Sequence, residues 1–296
     1  MSSPRVVVVG DAALDVVARH SDPIVHGDDV RAKVSLSPGG AAANTAAWLA
    51  HLGADTTLVS RIGADVAGDS VRRELTAAGV RCAFTVDPAA ATGCVVVLVD
   101  AKGQRSMLPD RGANALLRAD DLDPALLDGA AHLHLSGYVL LDASSRDAGV
   151  AILAAARSAG LTTSVDPQAA NLIADPAAFV DLVRDVDLFL PNSTELALLT
   201  GSPDPSSATG LLDHGIVAVT AGPDGATWID RDGLVSVPAE PTDCVNTTGA
   251  GDAFDAGLIA AWLAGATPRE ALEAGVRAGA HATTLVSAWP SRRVGR

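Results

Sequence analysis

Short runs of apolar, mostly β-branched residues alternate along this chain with segments whose apolar residues recur at helical spacing. The first run, Val6 to Val9, is closed by Gly10. Further runs lie at 57–60, 132–135, 162–165, 188–190 and 216–220. The helical patterns cover 42–52, 66–78, 145–159, 176–183, 194–199, 253–263 and 269–285. Uninterrupted apolar runs are typical of strands buried on both faces. The alternation therefore predicts a doubly wound α/β fold, with a mostly parallel sheet flanked by helices.

Two other stretches carry a different strand pattern. Residues 29–36 alternate strictly between apolar and polar side chains, which indicates a strand with one buried face. The apolar side of this strand consists of Val30, Ala32, Val34 and Leu36. A second strand-rich block runs from Phe84 through 94–99 to Met107, and Lys102-Gly103 supplies a hairpin turn.

We expect these two stretches to form a small β-sheet lid. The lid would comprise residues from about 11–37 and 83–112, inserted in a single domain that spans 1–296. A sheet of few strands cannot bury a core alone, so the lid must pack on the main domain, on a second subunit, or on both. The apolar side of the alternating strand favours a homodimer in which the lid sheets of two subunits pair.

The acidic composition limits the partners that this chain can bind. With 21 Lys and Arg against 35 Asp and Glu, the net charge is -14, which argues against nucleic acid and against an anionic membrane. The only lysines are Lys33 and Lys102, so the sequence contains neither a Walker A loop nor a protein-kinase catalytic lysine. The three cysteines are scattered, and no apolar stretch reaches the roughly 18 residues of a membrane span. We therefore expect a cytoplasmic protein.

The segment NTTGAGD, residues 246–252, is the strongest functional signal in the chain. Apolar residues recur at helical spacing after it, so a helix should begin near Ala250 or Gly251. The first N–H groups of a helix have no internal acceptor and lie at the positive end of its dipole, and glycines let an anion approach them. We predict that the amides of Gly249, Ala250 and Gly251 form an anion hole.

Asp252 follows in the first turn of this helix, beside the bound anion. A carboxylate repels a phosphate there, unless it takes a proton from the group that attacks the phosphate. We therefore predict phosphoryl transfer with Asp252 as the catalytic base. For the Thr-Gly turn alone, a helix cap without a chemical role is an equal alternative.

A second segment of small residues, SPGGAAAN at 37–44, should open a helix that a polar ligand can approach closely. Tight packing of helix on sheet is the alternative explanation. Asp11 and Asp15 follow the first strand at its carboxyl end, where open α/β sheets bind ligands. Their carboxylates suit the hydroxyl groups of a sugar, although each could equally cap a loop.

Three further motifs have two interpretations each. NSTE at 192–195 has the spacing of a helix N-cap, and the same oxygens could organise Mg²⁺ through water. GPDG at 222–225 is a turn signature that could also border a nucleotide. His132 and His134 share a strand face, but no Cys or acid completes a zinc site. The turn after the first strand lacks G-x-G-x-x-G, which argues against hydride transfer.

Together these motifs resemble those of the ribokinase-like (PfkB-type) carbohydrate and nucleoside kinases, over essentially the whole chain. Residues 246–252 look like the family's DTTGAGD signature, and Gly39-Gly40 with Asn44 resemble its amino-terminal di-glycine signature. PNSTE at 191–195 is similar to its metal-organising N-x-x-E motif. The resemblance implies a ribokinase-like fold with a lid, ATP and Mg²⁺ as cofactors, and Asp252 as catalytic base.

The resemblance also implies which residues bind each ligand. The acceptor sugar would contact Asp11, Asp15, Gly39, Gly40 and Asn44. The nucleotide would contact Asn192, Thr220, Gly222, Gly225 and Thr248. Mg²⁺ would be organised by Asn192 and Glu195 through water.

Two positions differ from the family pattern. The signature usually opens with Asp, which helps to hold the monovalent cation in potassium-activated members, whereas this chain has Asn246. K⁺ is therefore a weaker expectation than ATP and Mg²⁺, although an amide oxygen can still coordinate it. HLSG at 134–137 lacks the acid that ribokinases place near the sugar, which weakens the prediction of ribose. RGANAL at 111–116 nevertheless looks ribokinase-like.

We predict an ATP- and Mg²⁺-dependent kinase that phosphorylates a primary hydroxyl of a small sugar of the ribose, fructose or 2-keto-3-deoxygluconate type. One alternative is a nucleoside kinase for a substrate of the adenosine or pseudouridine type, and another is a non-catalytic sugar-binding regulator. Aromatic residues make up only 3% of the chain, and a nucleobase favours an aromatic platform. Asp252 argues against a regulator, because binding alone does not require it.

Overall fold

The computed structural model describes residues 3–290. Its strands are β1 (Arg5–Val9), β2 (Ala13–His20), β3 (Ala32–Gly39), β4 (Asp55–Gly63), β5 (Arg81–Asp87), β6 (Gly93–Val99), β7 (Arg105–Asp110), β8 (His132–Ser136), β9 (Thr162–Asp166), β10 (Leu188–Phe189), β11 (Ile216–Thr220), β12 (Ala226–Asp230) and β13 (Gly233–Val237). Its α-helices are α1 (Ala41–Leu52), α2 (Val66–Ala77), α3 (Tyr138–Leu141), α4 (Arg146–Ser158), α5 (Pro176–Val183), α6 (Ser193–Thr200), α7 (Ala250–Leu263) and α8 (Pro268–Thr283).

Nine strands form one large sheet in the order β13-β12-β11-β10-β9-β8-β1-β4-β5. The strands from β11 to β5 pair in parallel, and β12 and β13 add an antiparallel edge. Residues 6–9 of β1 are completely buried. Val6 and Val8 belong to one apolar cluster, and Val7 and Val9 to another, because alternate residues of a strand point to opposite faces. The predicted doubly wound α/β fold is confirmed.

The other four strands form a second, smaller sheet in the order β3-β2-β6-β7. The two faces of this lid sheet differ. Val97 and Val99 are buried on one face. Val34 and Leu36 point to the opposite face, where 59% and 65% of their surfaces are exposed. The apolar face that the sequence pattern indicates is therefore on the outside of this single chain.

The structure differs from the sequence-based organisation in two places. Phe84 lies in β5, at the edge of the large sheet, instead of in the lid. A short, half-buried edge strand has the same sequence pattern as a lid strand, so the pattern alone does not separate them. The sequence pattern also does not predict β12 and β13, because Thr227 and Ser236 interrupt their apolar residues and neither strand contains an uninterrupted apolar run.

The parallel strands place their carboxyl ends at one edge of the large sheet, which is where open α/β sheets bind ligands. Asp11 follows β1 and Asn192 follows β10 at this edge. Helices α1 and α7 pack on each other, so the two helix starts that the sequence motifs mark come close together. No helix within residues 3–290 has the length and apolar character to cross a membrane.

Candidate active site

Helix α7 begins at Ala250, as predicted. Gly249 is its N-cap residue and has a φ of 77°, a left-handed conformation that glycine adopts without strain. A Cβ on Gly249 would lie 2.9 Å from the Cβ of Ala288, so a larger residue would displace the loop. Around Gly251 there is open space. The first turn of α7 is therefore accessible to a ligand, and its amides and dipole favour an anion.

Asp252 lies in this first turn, with only 8% of its surface exposed. Its Oδ2 accepts a hydrogen bond of 2.8 Å from Nδ2 of Asn44. Burial is the main cause that raises the pKa of Asp252 to about 7. The bonds from Asn44 and Gln168 lower this pKa, and the charges of Asp11 and Asp15 raise it. A carboxyl group with a pKa near neutrality is suited to accept a proton from a hydroxyl group.

Asn44 is oriented by a second hydrogen bond. Its Oδ1 accepts from Nε1 of Trp289 at 2.7 Å, which directs the amide nitrogen toward Asp252. The three side chains come from segments far apart in the sequence and form one buried chain of hydrogen bonds. The resemblance assigns Asn44 to the acceptor sugar, and the structure shows that Asn44 also holds the predicted base.

The loop after β1 and the start of α1 form another wall of the site. Oδ2 of Asp11 accepts from the amide of Ala41 at 2.9 Å, and its Oδ1 accepts from the hydroxyl of Ser136 at 3.1 Å. Gly40 has a φ of 96°, and a Cβ there would lie 2.6 Å from the carbonyl oxygen of Asp11. Close packing of this segment on Asp11 therefore requires glycine.

Asp15 lies against Gly39, where a Cβ would come within 2.2 Å of the Asp15 carboxylate. Burial and the charge of Asp11 raise the pKa of Asp15 to about 6. Of the five residues predicted to bind the acceptor, Asn44 bonds Asp252, the charges of Asp11 and Asp15 act on Asp252, and Gly40 and Gly39 pack on Asp11 and Asp15. Their roles toward a sugar stay a prediction.

Asn192 is the N-cap of α6, and it forms a capping box with Glu195. Oδ1 of Asn192 accepts from the amides of Thr194 and Glu195 at 2.9 and 3.0 Å, and Oε2 of Glu195 accepts from the amide of Asn192 at 2.8 Å. The helix-cap interpretation of NSTE is therefore confirmed. These contacts leave the role toward Mg²⁺ as a prediction.

Glu195 belongs to a cluster of buried carboxyl groups with Asp166 and Asp255. Burial and mutual repulsion raise the pKa of Asp166 and of Asp255 well above the usual range. Within residues 3–290, Oδ2 of Asp255 has no hydrogen-bond partner. Such oxygen donors fit a hard cation such as Mg²⁺. The same described residues contain no group of three His, Cys, Asp or Glu placed to hold a metal directly.

Two adjoining cavities lie in this region, and the larger one reaches the start of α7. The larger has a volume of about 680 Å³ and is lined by Thr220, Gly222, Gly225, Thr247 and Gly251, among others. The smaller has a volume of about 580 Å³ and is lined by Asn192, Glu195, Tyr138 and Gln168, with Thr220 and Gly222 shared between the two. Both volumes lie in the range of small-molecule sites. Four of the five predicted nucleotide residues thus line these cavities.

The fifth, Thr248, lies in the loop before α7. Its amide donates to Oδ1 of Asn246 at 2.8 Å, and Nδ2 of Asn246 donates to the carbonyl of Val286 at 2.7 Å. The hydroxyl of Thr248 accepts a hydrogen bond from Arg105 of the lid strand β7. Asn246 therefore shapes the loop before α7, and its role toward K⁺ stays a prediction.

Sequence reasoning missed Gln168 and Tyr138. Gln168 has a φ of 74°, donates to Oδ2 of Asp166 at 2.7 Å, and also bonds Asp252. A strained backbone that persists beside a reactive group is common at functional sites. Neither residue lies in a sequence motif that could have marked it. By contrast, His132 and His134 are buried and bond the Ser164 hydroxyl, as core residues do.

The model of the pfkB family of carbohydrate kinases matches residues 3–291 of this chain. The chain belongs to this family. It is 34% identical to an ATP-dependent ribose-1-phosphate kinase of Halopiger xanaduensis, over 91% of this chain and 88% of that protein. It is 32% identical to a fructokinase of Klebsiella pneumoniae, over 89% of this chain and 86% of that protein.

The fold of this carbohydrate kinase is also found in solved structures. A structure from E. coli, described as a ribokinase II in complex with ATP and Mg²⁺, superimposes with a TM-score of 0.86 and 26% identity. The match covers 97% of this chain and 94% of that chain. The ribokinase-like fold and the assignment as a carbohydrate kinase, both expected from the motifs, are confirmed.

Proposed function

We propose that this carbohydrate kinase transfers the γ-phosphate of ATP, with Mg²⁺, to a primary hydroxyl group of a small sugar. The position of Asp252 supports this most directly. It lies in the first turn of a helix whose free amides suit a phosphate, and its pKa of about 7 suits a general base. The E. coli structure with ATP and Mg²⁺ supports the cofactors.

The residues around Asp252 divide the chemistry between them. Asp11 and Asp15 accept hydrogen bonds from sugar hydroxyl groups and turn one hydroxyl toward Asp252. Asp252 takes the proton of that hydroxyl group. At the same time the sugar oxygen forms a bond to the γ-phosphorus, and the bond between this phosphorus and the bridging oxygen of ADP breaks. The amides of Gly249–Gly251 stabilise the charge on the transferred group.

The lid and the acidic cluster complete the site. Glu195 and Asn192 would hold Mg²⁺ through water, and the cation would neutralise charge on the phosphates. Arg105 of β7 bonds Thr248, so the lid lies against the loop before α7. Such closure excludes water, which otherwise competes as acceptor. The amide of Asn246 in place of a carboxylate leads us to expect little dependence on K⁺.

A homodimer through the lid sheets is part of the proposal. The outer face of the lid carries Val34, Leu36 and Leu108, each more than half exposed. An apolar sheet face of this kind is stabilised when a second copy covers it. A twofold axis would place the same face of both subunits in contact.

The decisive experiment measures ADP release from ATP and Mg²⁺ with a panel of acceptors, with and without K⁺. The panel contains ribose, ribose 1-phosphate, fructose, 2-keto-3-deoxygluconate, adenosine and pseudouridine. Ribose 1-phosphate and fructose are the acceptors that the names of the Halopiger and Klebsiella relatives give. Asp252→Asn should lower turnover by several orders of magnitude and leave nucleotide affinity nearly unchanged. The surface variant Asp185→Asn serves as the matched control.

The outcomes separate the alternatives. Turnover on a sugar that is lost in Asp252→Asn, and retained in Asp185→Asn, supports the proposal. Turnover only on adenosine or pseudouridine would make the protein a nucleoside kinase. Near-normal turnover in Asp252→Asn would refute the assignment of the base. Tight binding of a sugar without any turnover would favour a sugar-binding regulator.

A further inference from the structure

Arg111 lies at the base of the lid, directly after β7. Its Nη1 donates to Oδ2 of Asp142 at 3.0 Å. Its Nη2 is buried and has no hydrogen-bond partner within residues 3–290. Buried donors without an acceptor are rare, and a charged one costs more than a neutral one. The free N–H groups of this nitrogen are available to donate to an oxygen atom of a ligand.

The guanidinium group is held in place before any ligand arrives. Asp142, its partner, accepts hydrogen bonds from the hydroxyl of Ser144 at 2.7 Å and from the Ser144 amide at 3.0 Å. On another side, the guanidinium carbon lies 6.0 Å from the centre of the Tyr138 ring. A donor that is fixed in this way loses little conformational entropy when it binds.

Tyr138 connects Arg111 to the acceptor site. Burial, followed by the charges of Asp11 and Asp252, raises the pKa of Tyr138 to about 12, while Arg111 acts in the opposite direction. Tyr138 therefore lies within the electrostatic field of both the guanidinium and the predicted base. The strand register agrees, because Pro109, two residues before Arg111, is opposite Val95, which is opposite Asp15.

The charges of the cleft are separated between its two sides. The α/β side carries Asp11 and Asp252, which suit hydroxyl groups and repel anions. The lid carries Arg19, Lys33 and Arg105, which lie in one row of the sheet on the face of the buried Val99. None of these three cations forms an ion pair with a carboxylate in the part of the chain that the structure describes. Because Arg105 bonds Thr248, this row lies on the side where the nucleotide is predicted to bind, and Arg111 is the cation at the end of the lid that is in register with Asp15.

Building on the kinase reaction proposed above, we propose that the acceptor is a sugar with an anionic group, a phosphate or a carboxylate. Nη2 of Arg111 binds this group, and the hydroxyl to be phosphorylated faces Asp252. Arg111 is then the residue that selects an anionic sugar over a neutral one. The rigid guanidinium offers a charge-assisted hydrogen bond that a neutral hydroxyl group uses less well.

The test compares kcat/KM for four acceptors in the wild type and in two variants. Ribose and fructose are the neutral acceptors, ribose 1-phosphate carries a phosphate, and 2-keto-3-deoxygluconate carries a carboxylate. Arg111→Met removes the charge and keeps an unbranched side chain. Asp142→Asn breaks the ion pair and leaves the guanidinium group. Thermal unfolding of all three proteins shows whether each variant is folded.

The wild type should prefer one anionic acceptor over both neutral sugars by at least tenfold, and the better anionic acceptor identifies the group. Arg111→Met should lower kcat/KM for that acceptor by about 10- to 100-fold, mainly through KM, and change the neutral sugars by less than about threefold. Asp142→Asn should keep most of the preference, because the guanidinium remains although the carboxylate that orients it is lost.

Three results would overturn the inference while leaving the kinase reaction intact. The wild type could prefer a neutral sugar, Arg111→Met could lower all acceptors equally, or Asp142→Asn could reproduce the loss of preference. The last two would mean that Arg111 only links the lid to the loop before α4. Absence of turnover on every acceptor would instead refute the proposed function itself.

Discussion

The hydrogen bond from Asn44 to Asp252 leads to the most specific prediction. In Asn44→Leu, the Oδ2 of Asp252 loses the donor that now lies 2.8 Å away. A hydrogen bond to a charged group contributes about 1.5 to 3 kcal/mol, and one pKa unit corresponds to about 1.4 kcal/mol. The pKa of Asp252, about 7 in the wild type, should therefore rise by roughly one to two units.

The consequence for activity follows from the fraction of ionised base. Only the ionised carboxylate accepts a proton, so kcat/KM rises with pH through the pKa of the free enzyme. Near pH 7, about half of the wild-type molecules have an ionised Asp252. In Asn44→Leu, the ionised fraction of Asp252 at the same pH would be roughly 1 to 10%. We expect kcat/KM to fall by about 5- to 50-fold near neutral pH and to recover most of the difference near pH 9.

The assay is the pH profile of kcat/KM from ADP release, with the acceptor that the panel identifies. Trp289→Phe is the matched control, because it removes the donor to Oδ1 of Asn44 and leaves Asn44 itself. It should shift the profile in the same direction by a smaller amount. A loss in Asn44→Leu that is equal at every pH would refute the reasoning, since Asn44 would then act on the acceptor and not on the base.

Three other changes test separate parts of the structure. Gly40→Ala places a Cβ 2.6 Å from the Asp11 carbonyl oxygen, at a φ of 96°. This variant should raise KM for the acceptor several-fold and lower the melting temperature. Unchanged KM and melting temperature would contradict the packing argument. Burial raises the pKa of Asp255 above its usual 3.8, so the folded protein should lose stability as pH rises above about 4. Between pH 5 and pH 8, the free energy of unfolding measured with urea should fall less in Asp255→Asn than in the wild type. Leu36→Lys should yield folded monomers in light scattering, and a persistent dimer would disprove the lid interface.

The fold could be predicted largely from sequence because its signals are local. The apolar run at 6–9 and the helix that begins at Ala250 depend on residue patterns within a few positions, and both are found where expected. The sequence pattern places Phe84 in the lid and the structure places it in the large sheet, because the partner of a strand is not encoded in the strand itself. Which strands pair depends on contacts distant in sequence, and a half-buried pattern fits more than one partner.

The candidate site shows the same division between local and distant information. Asp252 and the glycines before it could be named because their chemistry depends on a helix start. Gln168 could not, because its role depends on a left-handed backbone and on neighbours brought together by folding. Arg111 stands next to a recognisable motif, but its unpartnered nitrogen appears only when Asp142 and Tyr138 are placed around it.

The pKa of Asp252 illustrates why identity and strength of a base are separate questions. The sequence names the carboxylate, yet the shift from 3.8 to about 7 depends on burial and on two opposing sets of neighbours. This shift corresponds to about 4 kcal/mol, more than one hydrogen bond supplies. A single substitution near Asp252 should therefore move the pH optimum without abolishing the reaction. Only loss of the carboxylate itself, as in Asp252→Asn, should remove turnover at every pH.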